Sequence, residues 1–135
     1  MSGPGSGSWS RLEGLLLGLS EAGVETHVLA NPSTAQDFNR SGAASVTTVR
    51  SRSRIRRLLE RRQLVDEFCR AKKVDVIQLE APPFIAPEWI PAIASLHDLR
   101  YLEMPLFSVR QAEGVYQRVM LRRHVVRLDG VLALS

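Results

Sequence analysis

The sequence predicts an α/β fold built on a mostly parallel β-sheet. Segments with helical spacing of apolar residues alternate with short extended segments along the chain, which is the pattern of βαβ units. Two of the extended segments, 74–79 and 91–96, are short and largely apolar, as expected of strands buried on both faces of a parallel sheet. Ligands bind beyond the carboxyl ends of the strands in such sheets, so a site is expected there.

Composition and charge are those of one basic globular domain. The chain has 135 residues, of which 44% are apolar and 24% charged, as is ordinary for a soluble protein. Cys69 is the single cysteine, and the sequence shows neither a signal peptide nor an apolar run of about 18 residues. We therefore expect a cytoplasmic protein. The net charge of +4 favours anionic partners such as phosphates or acidic lipid.

A flexible glycine- and serine-rich segment, residues 1–8, is predicted to precede a helix that begins near Trp9 and ends at Gly23. Glycine allows the backbone to approach a ligand closely, and a helix N-terminus attracts anions. The candidate diphosphate loop comprises Gly5, Ser6, Gly7 and Ser8. An unstructured tail is an equally good interpretation, because phosphate-binding loops normally follow a strand and none precedes this one.

Two strands are predicted next, at 24–30 and 44–49, with a polar loop between them. Asn31 stands where a dinucleotide site would place a carboxylate for the ribose. This departure disfavours a nicotinamide-dependent oxidoreductase, which is the rival enzyme interpretation. His27 is interpreted as a partly solvated strand residue rather than a ligand.

Arginines crowd residues 50–62, while apolar residues keep helical spacing through the same region. The simplest interpretation is the solvated face of an amphipathic helix. A sharper one is a surface that binds anionic membrane or polyphosphate through Arg54, Arg57 and Arg61. Nucleic acid is not expected, because no exposed aromatic residues are interleaved with this charge. Cys69 lies on the apolar stripe, which predicts a buried, inert thiol.

The strands predicted at 74–79 and 91–96 both end on polar residues. Glu80 follows the first, and His97 and Asp98 follow the second. Because parallel strands bring their carboxyl ends to one edge of the sheet, we expect these side chains to lie side by side. Arg100 and Tyr101 either line a pocket at this edge or cover the sheet, and covering is favoured. No spacing suggests a metal site.

The chain closes on a long helix over 109–128, a stop at Asp129-Gly130 and a further strand from Val131. Three stretches carry a resemblance: Val-Asp-Val-Ile-Gln-Leu-Glu-Ala-Pro from Val74, Ser-Leu-His-Asp-Leu-Arg-Tyr-Leu from Ser95, and the closing Arg-Leu-Asp-Gly-Val-Leu-Ala-Leu-Ser. Together they resemble the N-terminal domain of the family 4 glycosyltransferases. The resemblance implies a single Rossmann-like, doubly wound domain over 9–135, the acceptor-side half of a GT-B fold without its first strand.

The resemblance also implies an activity, namely transfer of a sugar from a nucleotide-sugar donor to an acceptor with retention and without a metal or other cofactor. His97 would be the catalytic residue, as a hydrogen-bond partner of the reacting sugar, Glu80 would line the acceptor cleft, and Asp98 would brace the turn. The diphosphate loop would contact the donor. Because the first strand and the donor-binding domain are absent from this sequence, we expect the chain alone to lack transferase activity.

Two further expectations follow from the missing strand and from the charge. The strands at 24–30 and 74–79 must either pair directly or leave backbone groups unpaired. The alternative function is a basic, non-catalytic module that binds anionic membrane surfaces or phosphates through residues 50–62. The two functions are compatible, because a glycosyltransferase that works at the inner membrane face would use such a peripheral contact.

Overall fold

The computed structural model describes residues 7–49, 54–80, 84–96, 119 and 122–133. In these ranges the protein is an α/β protein whose short strands are all parallel and form two sheets. The chain divides into two compact units, Met1–Glu60 and Arg61–Ser135. The elements are α1 (Gly7–Glu21), β1 (His27–Ala30), α2 (Pro32–Phe38), β2 (Ser45–Thr48), α3 (Arg54–Lys72), β3 (Ile77–Leu79), β4 (Ala92–Leu96) and β5 (Gly130–Ala133).

The first helix, α1, begins at Gly7, so the predicted flexible segment over residues 1–8 is wrong for Gly7 and Ser8. Glycine and serine are both favoured at the start of a helix, so the helix can begin within this segment. The predicted end at Gly23 is confirmed. Gly23 has a φ of +75°, and the N–H of Val24 donates to the carbonyl of Leu19 at 2.9 Å.

Strands β1 and β2 pair in parallel from His27 opposite Ser45 to Ala30 opposite Thr48. They are joined through α2, where the sequence predicted only a polar loop. Pro32 opens this helix, and the carbonyl of Asn31 accepts the N–H groups of Thr34 and Ala35 at 3.0 Å each. The prediction failed because a seven-residue segment that opens on Pro32 and consists mostly of polar side chains resembles a loop. Ala35 and Phe38 are both buried and lie three residues apart, so a helix places them on the same face. Burial of that face favours the helical conformation of the segment.

The core of the first unit lies between α1, α2 and β1. The ring centroids of Trp9 and Phe38 are 4.7 Å apart with the ring planes tilted by 54°, a favourable aromatic geometry. The other buried members of this cluster are Leu16, Ala30 and Ala35.

In the second unit, β3, β4 and β5 are neighbours in chain order, and every pairing is parallel. The strands predicted at 91–96 and from Val131 are confirmed, whereas β3 is shorter than the predicted 74–79. The helix α3 ends where Lys73 takes a φ of 52° and the N–H of Val74 donates to the carbonyl of Cys69. Within the described ranges, no helix is long and apolar enough to cross a membrane.

The strands predicted at 24–30 and 74–79 do not pair directly in the part of the chain that the structure describes. Strand β1 is hydrogen-bonded to β2 in one sheet, and β3 is hydrogen-bonded to β4 in the other.

Candidate functional site at the carboxyl ends of β3 and β4

A polar cluster lies where β3 ends beside β4. Leu79 pairs with Ala94, so the next residues along the two parallel strands, Glu80 and Ser95, stand level with each other. The hydroxyl of Ser95 donates to Oε1 of Glu80 at 2.8 Å. The side-chain amide of Gln78 also donates to Glu80 Oε1 and lies 3.1 Å from the Ser95 hydroxyl. Two neutral side chains thus orient one carboxylate at the edge where ligands bind in parallel sheets.

The alternation of side chains along the strands positions this cluster. Gln78 and Glu80 are two residues apart, so they share one face of β3, while Leu79 points to the other face and packs in the core with Phe84 and Ala94. Ser95 is fully buried. Its hydroxyl requires a hydrogen-bond partner, and Glu80 satisfies that requirement.

The start of β5 is attached to β4 by two hydrogen bonds. The N–H of Ala92 donates to Oδ2 of Asp129 at 2.8 Å, and the N–H of Asp129 donates to the carbonyl of Ala92 at 2.8 Å. The aspartate predicted to stop the last helix therefore also sets the register of β5 on β4. This anchoring holds the middle strand of the site between two hydrogen-bonded neighbours.

Of the residues predicted for the site, Glu80 is found at the expected edge. Strand β4 ends at Leu96, and the predictions for His97, Asp98, Arg100 and Tyr101 concern residues outside the described ranges. In the diphosphate loop, Gly5 and Ser6 also lie outside them, whereas Gly7 and Ser8 form the first turn of α1. Arg54, Arg57 and Arg61 all belong to α3, and Arg61 is half-buried.

Gln78 and Ser95 were not predicted as site residues. A signal for both was present: Gln78 shares its strand face with Glu80, and Ser95 is the one polar side chain in the largely apolar run 91–96. A buried polar side chain in an apolar strand needs a hydrogen-bond partner. The Glu80 carboxylate, predicted at the same edge of the sheet, could have been recognised as that partner for Ser95.

A second polar contact joins β1 to β2 at their amino ends. His27 Nδ1 lies 2.8 Å from the hydroxyl of Ser45, and His27 Nε2 lies 3.2 Å from Oε1 of Glu25. The Glu25 carboxylate is largely exposed, so this ion pair adds little stability. The structure agrees with the interpretation of His27 as a strand residue.

The outer contacts of α3 attach that helix to the connection between β3 and β4. Trp89 Nε1 donates to Oδ1 of Asp66 at 2.5 Å, Arg70 Nε donates to Oδ2 of Asp66 at 2.8 Å, and the Arg70 guanidinium lies 4.7 Å from the centre of the Trp89 ring. These hydrogen bonds, that from Arg70 first, lower the pKa of Asp66. On the inner side of the helix, the predicted burial of the Cys69 thiol is confirmed: Cys69 is fully buried, and burial raises its pKa.

One histidine of the second unit has a perturbed pKa. His124 lies in the helical turn at 122–125, and burial followed by the charges of Arg127, Arg123 and Arg62 holds its pKa below the ordinary value of 6.5. Below pH 6.5 the unfolded chain takes up a proton at this residue while the folded protein does not. The free energy of unfolding will therefore fall as the pH drops from 6.5 toward the lower folded pKa.

We expect His124→Gln to flatten this decline, because glutamine cannot take up the proton in either state. Denaturant unfolding of wild type and variant between about pH 7.5 and about pH 5 measures the difference. His27→Gln is the matched control and should leave the slope due to His124 unchanged. The prediction is wrong if the free energy of unfolding falls by the same amount in wild type and in His124→Gln over this pH range.

Comparisons of the chain with protein-family models, with curated proteins and with solved structures find no match. In the ranges 7–49, 54–80, 84–96, 119 and 122–133, no group of three or more histidine, cysteine, aspartate or glutamate residues is arranged to hold a metal ion.

Proposed function

We propose that the chain is the acceptor-side domain of a retaining glycosyltransferase of the GT-B type, with Glu80 in the acceptor cleft. The observation that carries this proposal is the pairing of Glu80 with the buried hydroxyl of Ser95 across the carboxyl ends of two parallel strands. This is the sheet edge that the resemblance to family 4 glycosyltransferases assigns to the acceptor.

The chemistry of the cluster suits a sugar. Hydroxyl groups of a sugar are hydrogen-bond donors, and a carboxylate is a strong acceptor for them. Ser95 and Gln78 hold the Glu80 carboxylate in one orientation before any ligand arrives. Less side-chain entropy is then lost on binding, which favours affinity and a defined acceptor orientation.

Strand pairing also supports the proposal. The pairs β1–β2, β3–β4 and β4–β5 are all parallel, as the Rossmann-like domain implied by the resemblance requires. In this proposal His97, the residue after β4, is the hydrogen-bond partner of the reacting sugar, Asp98 braces the turn that follows, and Arg100 and Tyr101 line or cover the cleft. Gly7 and Ser8, in the first turn of α1, contact the donor diphosphate in this proposal, because a helix N-terminus stabilises an anion.

The test measures sugar binding and sugar transfer separately. Saturation-transfer NMR of the purified chain with a panel of monosaccharides and disaccharides should detect weak binding, and Glu80→Gln should weaken it by about tenfold, because a hydrogen bond to a charged group is replaced by a neutral one. The matched control is Glu21→Gln, at the end of α1, which should bind as wild type does. With nucleotide-sugar donors present, the chain alone should show no turnover.

Two results would contradict the proposal. The first is the absence of binding to every sugar in the panel by a chain that circular dichroism shows to be folded. The second is an equal effect of Glu80→Gln and Glu21→Gln, since the charge at the sheet edge would then have no special role. Turnover by the chain alone would contradict the expected dependence on a donor-binding domain.

The alternative function, a basic module at an anionic membrane surface, draws support from the net charge of +4 and from the arginines of α3. Arg54, Arg57 and Arg61 are its proposed contacts, in a cytoplasmic protein held at the inner membrane face. Sedimentation with acidic liposomes separates the alternatives. A domain that only binds sugars stays in the supernatant, whereas a membrane module pellets with the vesicles.

A further inference from the structure

Two arginines that are far apart in the chain share one carboxylate oxygen in the second unit. Arg62 Nη2, on α3, lies 3.1 Å from Oε1 of Glu88, and Arg127 Nη1 lies 3.4 Å from the same oxygen. Within the described residues, Glu88 is the carboxylate in ion-pair contact with both guanidinium groups, and the charge of Arg62 also acts on Asp66. At Glu88 Oε1, one negative charge thus faces two positive charges. Each arginine uses one guanidinium nitrogen in this contact, and its other N–H groups do not contact Glu88.

A third arginine adds positive charge near His124 in the second unit. Arg123 is exposed one turn before Arg127, and the charges of Arg62, Arg123 and Arg127 all act on His124. Nε2 of His124 is buried and has no hydrogen-bond partner in the described part of the chain. Cationic groups from α3 and from residues 122–128 thus converge, with Glu88 as the carboxylate between them. We call this group of residues the arginine cluster.

We propose that the arginine cluster binds a dianionic phosphate group through Arg62 and Arg127, in competition with Glu88. Guanidinium groups present paired N–H donors that match phosphate oxygens, and a dianion compensates two arginines where one carboxylate compensates only one. The phosphate belongs either to a free phosphate ester or to a lipid phosphomonoester headgroup. The site is independent of the proposed sugar site at Glu80 and uses residues other than Arg54, Arg57 and Arg61.

Glu88 is suited to be displaced. Its side chain is 66% exposed, and those of Arg62 and Arg127 are 59% and 51% exposed. Ion pairs this exposed contribute little to stability, so their loss to an incoming anion is easily offset. Removing the Glu88 charge should therefore strengthen phosphate binding. A purely structural role for the two ion pairs predicts no gain in affinity.

The experiment uses the full chain in low-salt buffer, because salt screens exposed charges. Inorganic phosphate and glycerol phosphate are titrated by NMR, and vesicles of phosphatidylcholine with and without phosphatidic acid are sedimented with the protein. Arg62→Gln and Arg127→Gln should each weaken phosphate binding by about tenfold. Glu88→Gln should tighten it by roughly threefold. The matched control is Arg70→Gln, on the same helix and likewise paired with a carboxylate, which should leave binding unchanged.

The results distinguish a free phosphate ester, a lipid headgroup and the absence of a phosphate site. Binding of the soluble phosphates supports the proposal with a free ester as ligand, and binding restricted to phosphatidic acid vesicles supports it with a lipid headgroup. The proposal is overturned if neither is bound, if Arg70→Gln weakens binding as much as Arg62→Gln, or if Glu88→Gln lowers the affinity. Thermal unfolding of each variant verifies that the compared proteins are folded. Loss of sugar binding in Glu80→Gln has no bearing on these results.

Discussion

Phe84→Ala is expected to lower the free energy of unfolding of the second unit by about 3–5 kcal/mol. Phe84 is 2% exposed and belongs to the core cluster with Leu79 and Ala94. Removing its ring leaves a cavity that these short strands cannot close. Its φ of 56° is as unfavourable for alanine as for phenylalanine, so the substitution relieves no backbone strain. Denaturant unfolding followed by circular dichroism measures the loss.

The control for this prediction is Phe84→Leu, which retains most of the apolar volume and should lose less than Phe84→Ala. The cavity should also weaken sugar binding, because Leu79 and Ala94, the core neighbours of Phe84, directly precede Glu80 and Ser95. A destabilisation by Phe84→Ala of less than about 1 kcal/mol would show that Phe84 does not have the packing described.

In the first unit, Phe38→Ala is expected to cause a loss of similar size, about 3–5 kcal/mol. Phe38 is 3% exposed, contacts the Trp9 ring and joins α2 to the core that also contains Ala30. The aromatic pair contributes beyond the buried area, so a smaller apolar side chain cannot fully replace it. Chemical unfolding, with tryptophan fluorescence as the signal, measures the change.

Phe38→Leu serves as the comparison, since it keeps an apolar group at the same position and removes only the ring. We expect it to retain more stability than Phe38→Ala while still losing the contact with Trp9. If the two variants unfolded at the same denaturant concentration as wild type, α2 would not be packed on the core as described.

The sequence predicted the long and strongly patterned elements well. The strand of β4 follows from its apolar run, α3 from its apolar stripe, and the end of α1 from Gly23. The short elements were predicted less well, because α2 has only two turns and β3 is three residues long. In such short segments the tertiary contacts of a few buried residues, such as Phe38 and Leu79, outweigh local propensity.

The candidate site was predicted in part. Glu80 and the edge of the sheet followed from the order of strands and charges, whereas Ser95 and Gln78 were not recognised as the side chains that hold the carboxylate. The arginine run at 50–62 was recognised as a source of positive charge. Its connection through Glu88 to Arg127 involves residues 26 and 39 positions apart, and no local pattern reports such a contact.

By itself the sequence determined the properties that depend on neighbouring residues: the helical type of α1 and α3, the place where α1 stops, the buried thiol and the excess of positive charge. Only the tertiary structure decided which strands are neighbours and which charges meet. Ser95 and Glu80 are 15 residues apart in sequence, yet their side chains meet because β3 and β4 are parallel and in register. Such contacts arise from the packing of whole elements, and the local order of residues does not specify them.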